Sequence, residues 1–397
     1  MVKLVSHTSH YRRTLFCRLC ARITLTPAVS LGNQYVVDFP QDSWAQTYQA
    51  PLHLAMCGYC GLLQLQHTVD RDLMYRQYYY RSSTSRTMRA ALHDIVDAAV
   101  KVVLKPERVL DIGANDGCLL GYYNQDVFKV AVEPSQLCNE IESASTVVHD
   151  YFGYNTVKQW APYDVVTSIA CFYDVERPLD FMADVADVLD RDGVWINQMN
   201  YAPDMLDNNS YDMISHEHLT YWTTPTFADG LSRVGLEIFQ TEHLPLNGGT
   251  MRYYIGHRGK HLVDRDIEMR ILQPSKLAEW RTHLLELAGN LKSMVQNLVA
   301  DGKKVLVFGA STRGHVILQF SGLGLGLLAA DADRNKWGRV MAGTNIPIIS
   351  LEEARAMKPD YFLVLPYSYL DEFMVQEKEF RDRGGKFIVP LPEPRII

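Results

Sequence analysis

The stretch Val109-Leu110-Asp111-Ile112-Gly113-Ala114-Asn115-Asp116-Gly117 decides the fold class of this 397-residue chain. Its apolar residues form a candidate strand, and Gly113 allows a sharp backbone turn beneath a bound nucleoside. Glu133, at the end of the next candidate strand, can accept hydrogen bonds from both ribose hydroxyls. The pattern predicts a nucleoside-binding turn in an α/β fold. An ordinary tight turn between a strand and a helix is the alternative.

The ligand predicted for this turn is S-adenosylmethionine (SAM) rather than NAD. A dinucleotide turn uses Gly-x-Gly-x-x-Gly to seat a pyrophosphate on a helix N-terminus, and residues 113–118 lack that set of glycines. Carboxylates in the turn would repel a pyrophosphate, whereas they suit a cationic sulfonium. The predicted cofactor-binding residues are Asp111, Gly113, Asn115, Asp116 and Glu133.

Apolar strands and helical stretches alternate around this turn, which is typical of a parallel sheet covered on both faces. Because the chain exceeds the roughly 250–300 residues at which a single core stops growing, we expect several domains. We predict a metal-binding N-terminal domain at 1–80, a SAM-binding domain at 81–262 and a C-terminal Rossmann-like α/β domain at 263–397. The supporting elements are strands at 34–39, 62–66, 108–112, 128–133, 165–169, 194–198, 304–308 and 361–365, and an amphipathic helix at 276–299.

Four cysteines ahead of the turn form two Cys-x2-Cys pairs, Cys17/Cys20 and Cys57/Cys60. A turn with this spacing lets both thiolates reach one tetrahedral ion at about 2.3 Å, and two such turns complete the shell. Four buried thiols without a metal are the alternative, but two such pairs rarely coincide by accident. We predict a structural zinc ion, because a catalytic zinc would keep one ligand position open.

The composition excludes several classes of protein. The 39 basic and 46 acidic residues give a net charge of −7, and their scatter offers no field that would gather nucleic acid. No stretch approaches the roughly 20 apolar residues that span a bilayer, and the N-terminus lacks an apolar signal core. The other cysteines are isolated, which favours a reducing compartment over disulfides. We expect a cytoplasmic protein without nucleic-acid or membrane partners.

The cluster His216-Glu217-His218 follows the fourth strand of the predicted central sheet. Two histidines flanking a glutamate provide a base that titrates near working pH and a carboxylate able to orient it. A surface cluster is the alternative, and the spacing fits a metal site poorly. Because α/β sheets bind ligands beyond the carboxyl ends of their strands, we interpret the cluster as a source of the catalytic base.

A series of motifs runs along the whole chain in a characteristic order. They are Cys17-Arg18-Leu19-Cys20, Cys57-Gly58-Tyr59-Cys60, Tyr80-Arg81-Ser82-Ser83-Thr84-Ser85, Asp111-Ile112-Gly113-Ala114-Asn115-Asp116-Gly117, His216-Glu217-His218, Asn247-Gly248-Gly249-Thr250-Met251-Arg252 and Gly309-Ala310-Ser311-Thr312-Arg313-Gly314. This order resembles the three-domain sugar C-methyltransferases of deoxysugar biosynthesis. The resemblance implies a zinc-binding N-terminal domain, a class I SAM methyltransferase domain and a C-terminal Rossmann-like domain. It also implies methylation at C-3 of a nucleotide-linked 4-keto-deoxysugar.

The resemblance further implies roles for individual residues. His218, with Glu217, would abstract a proton from an acceptor held between the central and C-terminal domains. The implied acceptor-binding residues are Tyr80, Tyr221, Asn247, Arg252, Ser311, Arg313 and His315, and Ser83 joins the cofactor-binding set.

The second glycine turn, at residues 309–314, is a candidate phosphate site. Backbone N–H groups after a strand can cradle a phosphate while Arg313 adds a bidentate contact. A phosphate of a nucleotide-linked acceptor is the preferred ligand. A purely structural turn, and a dinucleotide site with Asp331 and Asp333 after the next strand, are the alternatives.

Carbon becomes a nucleophile only when a proton α to a carbonyl is removed, so the chemistry requires a base and an enolate stabiliser. His218 is the expected base, and the expected stabiliser is His216, Tyr221 or Arg252. Two places depart from the family: Ser215 replaces a tyrosine, and residues 170–175 lack a histidine. The alternative functions are O- or N-methylation of a natural-product acceptor and a non-catalytic zinc- and nucleoside-binding scaffold.

Overall fold

The computed structural model describes residues 10–42, 47–75, 78, 80–324 and 326–397, with only the backbone of Asn247 described. The N-terminal part of the described chain consists mainly of short antiparallel strands. Its elements are β1 (Tyr11–Arg13), β2 (Leu25–Tyr35), β3 (Gln49–Cys57), β4 (Leu63–Leu65), β5 (His67–Val69) and α1 (Arg71–Tyr75). Strand β1 pairs with β5, while β2, β3 and β4 belong to a second sheet.

The central part of the chain contains a seven-stranded sheet. Its elements are α2 (Arg86–Val102), β6 (Arg108–Ile112), β7 (Phe128–Val132), β8 (Thr146–Val148), α3 (Tyr154–Val157), β9 (Tyr163–Ile169), α4 (Pro178–Val188), β10 (Leu189–Asn200), α5 (Ala202–Asp207), β11 (Thr220–Tyr221), α6 (Thr224–Arg233), β12 (Leu236–Leu244) and β13 (Thr250–His257). The strand order is β12-β13-β10-β9-β6-β7-β8, with the five strands from β10 to β8 parallel and β13 antiparallel to both neighbours. The inner parallel strands β6, β7 and β9 are largely buried on both faces, and the turns that follow the parallel strands meet at one sheet edge.

The C-terminal part repeats this architecture after a long helix. Its elements are α7 (Pro274–Ala300), β14 (Val305–Phe308), α8 (Thr312–Ser321), β15 (Ala329–Asp331), β16 (Val340–Met341), β17 (Ile346–Ser350), α9 (Leu351–Ala356), β18 (Tyr361–Val364), α10 (Leu370–Gln376), α11 (Lys378–Asp382), β19 (Lys386–Val389) and β20 (Arg395–Ile396). The sheet order is β16-β17-β15-β14-β18-β19-β20, with antiparallel strands at both edges. Leu277, Trp280, Leu284, Leu287 and Leu291 of α7 are buried, as their three- and four-residue spacing predicts.

One segment of the central part is built into the N-terminal sheet. Strand β11 pairs antiparallel with β4, so that this sheet runs β11-β4-β3-β2. The Leu65 N–H donates to the Leu219 carbonyl at 3.0 Å, and the Tyr75 hydroxyl donates to the backbone carbonyl of Glu217 at 3.3 Å. The cysteine-bearing sheet therefore holds the His216–His218 cluster in place.

The predicted α/β class is confirmed, and the differences from the predicted elements are local. The strand expected at 34–39 is wrong beyond Tyr35, where β2 ends. Residues 38–40 instead contact the C-terminal part, since Arg339 donates to the Phe39 carbonyl at 3.0 Å and the Val340 N–H to the Pro40 carbonyl at 3.0 Å. Within the described ranges, no helix combines the length and apolar character that a membrane crossing requires.

Candidate active site and metal centre

The four cysteines of the two Cys-x2-Cys pairs converge in the N-terminal part. Their sulfur atoms all lie within 4.8 Å of one another, with 3.4 Å from Cys17 Sγ to Cys60 Sγ and 3.6 Å from Cys20 Sγ to Cys57 Sγ. Four sulfurs at about 2.3 Å from one tetrahedral ion stand roughly 3.8 Å apart. The cluster therefore fits a zinc ion, and four protein ligands close its shell as a structural site requires.

The two cysteine turns share one backbone geometry. The Ala21 N–H donates to the Cys17 carbonyl at 2.9 Å, and the Gly61 N–H donates to the Cys57 carbonyl at 3.0 Å. Both donors follow the second cysteine of their pair and have positive φ, +57° at Ala21 and +77° at Gly61. Two equivalent turns thus present their thiolates to a common point.

The first glycine turn has the shape expected of a nucleoside cradle. Gly113 has φ +72°, and a Cβ there would lie 3.2 Å from both Cβ and Sγ of Cys171. The Glu133 carboxylate accepts from the Asn115 N–H at 2.8 Å and from the Ser135 N–H at 2.9 Å. These two backbone contacts orient the carboxylate at the end of β7, where a ribose would meet it.

The other predicted cofactor residues brace this turn. Asp111 is buried and accepts from the Thr167 hydroxyl at 2.6 Å; burial raises its pKa to about 7, an effect that the Thr167 bond opposes. Asp116 accepts from the Ser83 N–H at 2.9 Å, and the Asn115 amide donates to the Tyr80 carbonyl at 3.0 Å. The structure thus brings the segment 80–83 onto the turn, with Asp116 and Ser83 beside the cavity rather than in its wall.

A cavity of about 1340 Å³ opens where the three parts of the chain meet. Asp111, Gly113, Asn115 and Glu133 line one side, and Tyr80, Glu217 and His218 line the wall next to it. The second glycine turn contributes Ser311 and Arg313. The volume suits a drug-sized nucleoside cofactor together with a further small molecule, since ligand pockets typically span about 300–1,000 Å³.

His218 lies in the cavity wall with its tautomer fixed. Its Nδ1 donates to the Met213 carbonyl at 2.7 Å, which leaves Nε2 as the basic nitrogen. Burial lowers its pKa to about 4, so the imidazole is neutral above that pH and able to accept a proton. The Tyr173 ring packs edge-to-face against it with 4.5 Å between ring centroids.

Several predicted site residues lie outside the cavity wall. His216 contacts the Ala50 carbonyl through Nε2 at 2.9 Å, and the Tyr221 hydroxyl donates to the Met213 carbonyl at 3.2 Å. His315 lies between the backbone carbonyls of Ser311 and Asp38. Arg252 is buried and donates to Gln198, Glu242 and Asp94. The side chain of Asn247 lies outside the described part of the structure.

The second glycine turn has its charges largely neutralised. Asp331 accepts from the Ala310 N–H at 2.8 Å and pairs with the Lys336 ammonium at 3.3 Å. Arg313 pairs with the buried Asp212 at 2.7 Å and donates to the Tyr367 hydroxyl at 3.0 Å. The acid that would meet the ribose of a dinucleotide is thus already bound by an ammonium group.

Sequence reasoning assigned no role to residues 170–175, yet the structure places part of this stretch in the cavity wall. Cys171, Tyr173 and Asp174 follow β9 and line the cavity next to His218 and Glu217. Their position after a parallel strand, where ligands bind, was the available signal.

Replacing Glu133 by alanine is expected to weaken SAM binding by about 10–150-fold, since hydrogen bonds to a charged group are worth about 1.5–3 kcal/mol. The substitution also leaves the N–H groups of Asn115 and Ser135 without their acceptor. Isothermal titration calorimetry measures the change, with the exposed Glu142→Ala as control. Unchanged affinity in Glu133→Ala would show that the ribose lies elsewhere.

Three family models match consecutive parts of the chain. The model described as "Putative zinc binding domain" matches residues 17–75, and the one described as "Methyltransferase domain" matches residues 82–241. The model described as "C-methyltransferase C-terminal domain" matches residues 245–392.

Relatives and solved structures are similar to the chain over different lengths. The C-methyltransferase NovU of Streptomyces niveus is 27% identical over 410 residues, which is 96% of this chain and 96% of NovU. A SAM-dependent methyltransferase from Clostridium acetobutylicum is 12% identical, covers 45% of this chain and 94% of its own, and has a TM-score of 0.36. The 1,6-didemethyltoxoflavin-N1-methyltransferase of Burkholderia thailandensis is 16% identical and has a TM-score of 0.35; the match covers 43% of this chain and 79% of that protein.

The cysteine turns, the first glycine turn at residues 109–117 (the SAM turn below) and the second glycine turn fall within the three matched regions in that order. The predicted cofactors, SAM and a structural zinc ion, and the predicted enzyme class are confirmed. Together, the three domain matches and the similarity to NovU identify a SAM-dependent C-methyltransferase with a zinc-binding domain, a methyltransferase domain and a C-methyltransferase C-terminal domain.

Proposed function

We propose that this enzyme removes the proton from C-3 of a nucleotide-linked 4-keto-deoxysugar and methylates the resulting enolate carbon. The observation that carries the proposal is the placement of His218, neutral and with a fixed tautomer, in the wall of the cavity that contains the SAM turn. SAM supplies the methyl group, and His218 Nε2 accepts the proton that makes the acceptor carbon nucleophilic.

We further propose that the second glycine turn binds the diphosphate of the acceptor. Ser311 and Arg313 line the cavity at the start of α8, where backbone N–H groups favour an anion. Arg334 also lines it and forms no ion pair with any described residue, in contrast to Arg313 and Lys336. Arg334 would therefore supply the unpaired positive charge. In this proposal residues 81–262 bind SAM and residues 263–397 bind the nucleotide.

The proposal also assigns a role to Tyr80. Its backbone carbonyl is bound by Asn115 of the SAM turn, and its side chain lines the same cavity while remaining 37% exposed. An aromatic ring in that position can stack on a sugar or base.

Solvent deuterium exchange tests the proposed reaction directly. The wild-type enzyme is incubated in D₂O without SAM, with a panel of nucleoside-diphosphate-linked 4-keto-6-deoxyhexoses, one for each common base. We expect deuterium at the carbon next to the carbonyl for at least one of them, and a new methyl group on the same carbon when labelled SAM is added.

Other results would contradict the proposal in distinct ways. Methyl transfer to oxygen or nitrogen without exchange at carbon would replace C-3 methylation by methylation of a heteroatom. Neither exchange nor methyl transfer on any member of the panel would exclude keto-sugar nucleotides as acceptors.

A further inference from the structure

The described site contains a base but lacks the expected enolate stabiliser. As a proton leaves the carbon, negative charge develops on the carbonyl oxygen, and a positioned donor is needed there. The candidates expected from the sequence are engaged outside the cavity. His216 contacts the Ala50 carbonyl, and the Tyr221 hydroxyl donates to the Met213 carbonyl. Arg252 donates to two carboxylates and to a side-chain amide. The donor must come from another residue in the wall near His218.

Asp174 lies in the cavity wall next to the base. It ends a short turn, Phe172–Asp174, that follows β9, and its neighbour Tyr173 packs on the His218 ring. The turn is held against the catalytic segment because the Tyr173 carbonyl accepts from the Leu219 N–H at 2.9 Å and from the Thr220 hydroxyl at 3.1 Å. The position of Asp174 relative to His218 is therefore fixed by backbone contacts.

The Asp174 carboxyl group has an unused oxygen. Oδ1 is shielded from solvent and has no hydrogen-bond partner among the described residues. An unpaired polar atom in such a place costs about 1–3 kcal/mol, so a rotation of the side chain that pairs Oδ1 with a ligand in the cavity gains free energy. Asp174 lines the same cavity as the SAM turn and His218.

A second carboxyl group, that of Glu217, lies beside Asp174 and favours the protonated form of Asp174. Glu217 is only 8% exposed, lines the cavity, and its side chain forms no ion pair or hydrogen bond within the described chain. Burial raises the pKa of Glu217 to about 7. Burial and the Glu217 carboxylate raise the pKa of Asp174 well above its usual range, against the effect of the Tyr75 hydroxyl.

Among the described residues, the groups that surround this pair do not include a compensating cation. The hydroxyls of Tyr75 on α1, of Tyr78 and of Tyr221 on β11 lie near Asp174, and Tyr173 and Cys171 approach it from its own turn. Burial and the Asp174 carboxyl group raise the pKa of each of them, so they are neutral near pH 7. Burial without a described cation therefore favours a proton on the carboxyl pair, and the Glu217 carboxylate raises the pKa of Asp174 further.

We propose that Asp174 acts as a neutral carboxylic acid that donates a hydrogen bond to the carbonyl oxygen of the acceptor and so stabilises the enolate. This inference rests on the C-methylation proposed above. As His218 Nε2 accepts the α-proton, the C–H electron pair forms the carbon–carbon double bond and the carbonyl π pair moves to oxygen, where Asp174 donates. The carbonyl then reforms as the carbon bonds to the methyl group and the methyl–sulfur bond breaks, and the proton on His218 is released to solvent.

Two substitutions separate the donor role from other roles. Asp174→Ala removes the donor and is expected to lower both turnover and deuterium exchange by about 10²–10³-fold, the effect of losing one oxyanion donor. Asp174→Asn keeps an N–H donor at every pH and is expected to stay within about tenfold of wild type. Calorimetry should show unchanged SAM affinity in both variants. The matched control is Asp180→Asn, because Asp180 lies on α4, is exposed and pairs with Arg177.

The pH profile provides a readout that a structural role would not change. Because the donor form of Asp174 is the protonated one, wild-type exchange should fall as the pH rises through the pKa of Asp174. That loss should be absent in Asp174→Asn, whose amide does not titrate. If Asp174→Ala does not fold, as judged by thermal melting, the profile of Asp174→Asn decides alone.

The results separate failure of this inference from failure of the proposed function. No exchange by the wild-type enzyme on any keto-sugar nucleotide would overturn the proposed function. If the wild-type enzyme exchanges deuterium and the Asp174→Ala variant does so at a rate within threefold of wild type, only the inference is overturned. Equal loss in Asp174→Asn and Asp174→Ala would also overturn it, because it would show that a carboxylate base rather than a donor is required.

Discussion

Replacing His218 by asparagine is expected to lower turnover by about 10²–10⁴-fold, the usual contribution of a general base. The asparagine amide can take over the Nδ1 contact to the Met213 carbonyl, but it has no basic nitrogen at the position of Nε2. SAM affinity should stay close to that of wild type, since the residues of the SAM turn are untouched. The effect is measured as the rate of methyl transfer from labelled SAM and as the rate of deuterium exchange at the acceptor carbon. Both rates should fall together.

The exposed His149→Asn variant is the control for this experiment, because it makes the same chemical change at a residue that does not line the cavity. Glu217→Gln should reduce turnover less than His218→Asn, since it alters a neighbour of the base and not the base itself. A His218→Asn enzyme that turns over within threefold of wild type would assign the base to another residue of the cavity wall.

Loss of the zinc ion is expected to have the second large effect. The binding free energy of a structural zinc is about 10–16 kcal/mol in zinc-finger peptides, and it contributes directly to folding. Cys57→Ser should therefore loosen residues 17–75, measured as faster amide hydrogen exchange, and leave less than one zinc per chain by metal analysis. Wild-type protein purified without added zinc should contain one ion per chain.

The same substitution should reduce turnover more than SAM affinity. The zinc-bearing sheet pairs with β11, and the Leu65 and Tyr75 contacts hold the backbone on either side of His218. The SAM turn is instead braced by Glu133 and the segment 80–83. Cys138→Ser, outside the four-cysteine cluster, is the control. Native protein in which all four thiols titrate freely would contradict the zinc assignment.

Local patterns were sufficient to predict the four-cysteine cluster and the conformation of the first glycine turn. The x2 spacing places two thiolates on one short turn independently of the tertiary fold. The turns that begin at Cys17 and Cys57 have the same backbone hydrogen bond. The strand Arg108–Ile112 and the positive φ of Gly113 likewise follow from a buried apolar run that ends in glycine. The helix α7 followed from its periodic apolar residues.

The wall of the cavity was decided by long-range packing. His216, Tyr221, Arg252 and His315 have the right chemistry for the site, but each is paired with a group that the fold brings near it, such as the Ala50 carbonyl for His216. Such partners lie far away in the sequence, and a buried polar group takes whichever partner satisfies it.

The sequence by itself determined the fold class and the four-cysteine cluster and predicted the SAM turn and the candidate base, because short-range geometry and residue chemistry suffice for these predictions. Only the tertiary structure decided that the zinc-bearing sheet holds the catalytic segment and that Asp174 stands beside Glu217 in the cavity wall. The reason is physical: strand pairing between β4 and β11, and the protonation of two neighbouring buried carboxyl groups, depend on distances in space that no local pattern encodes.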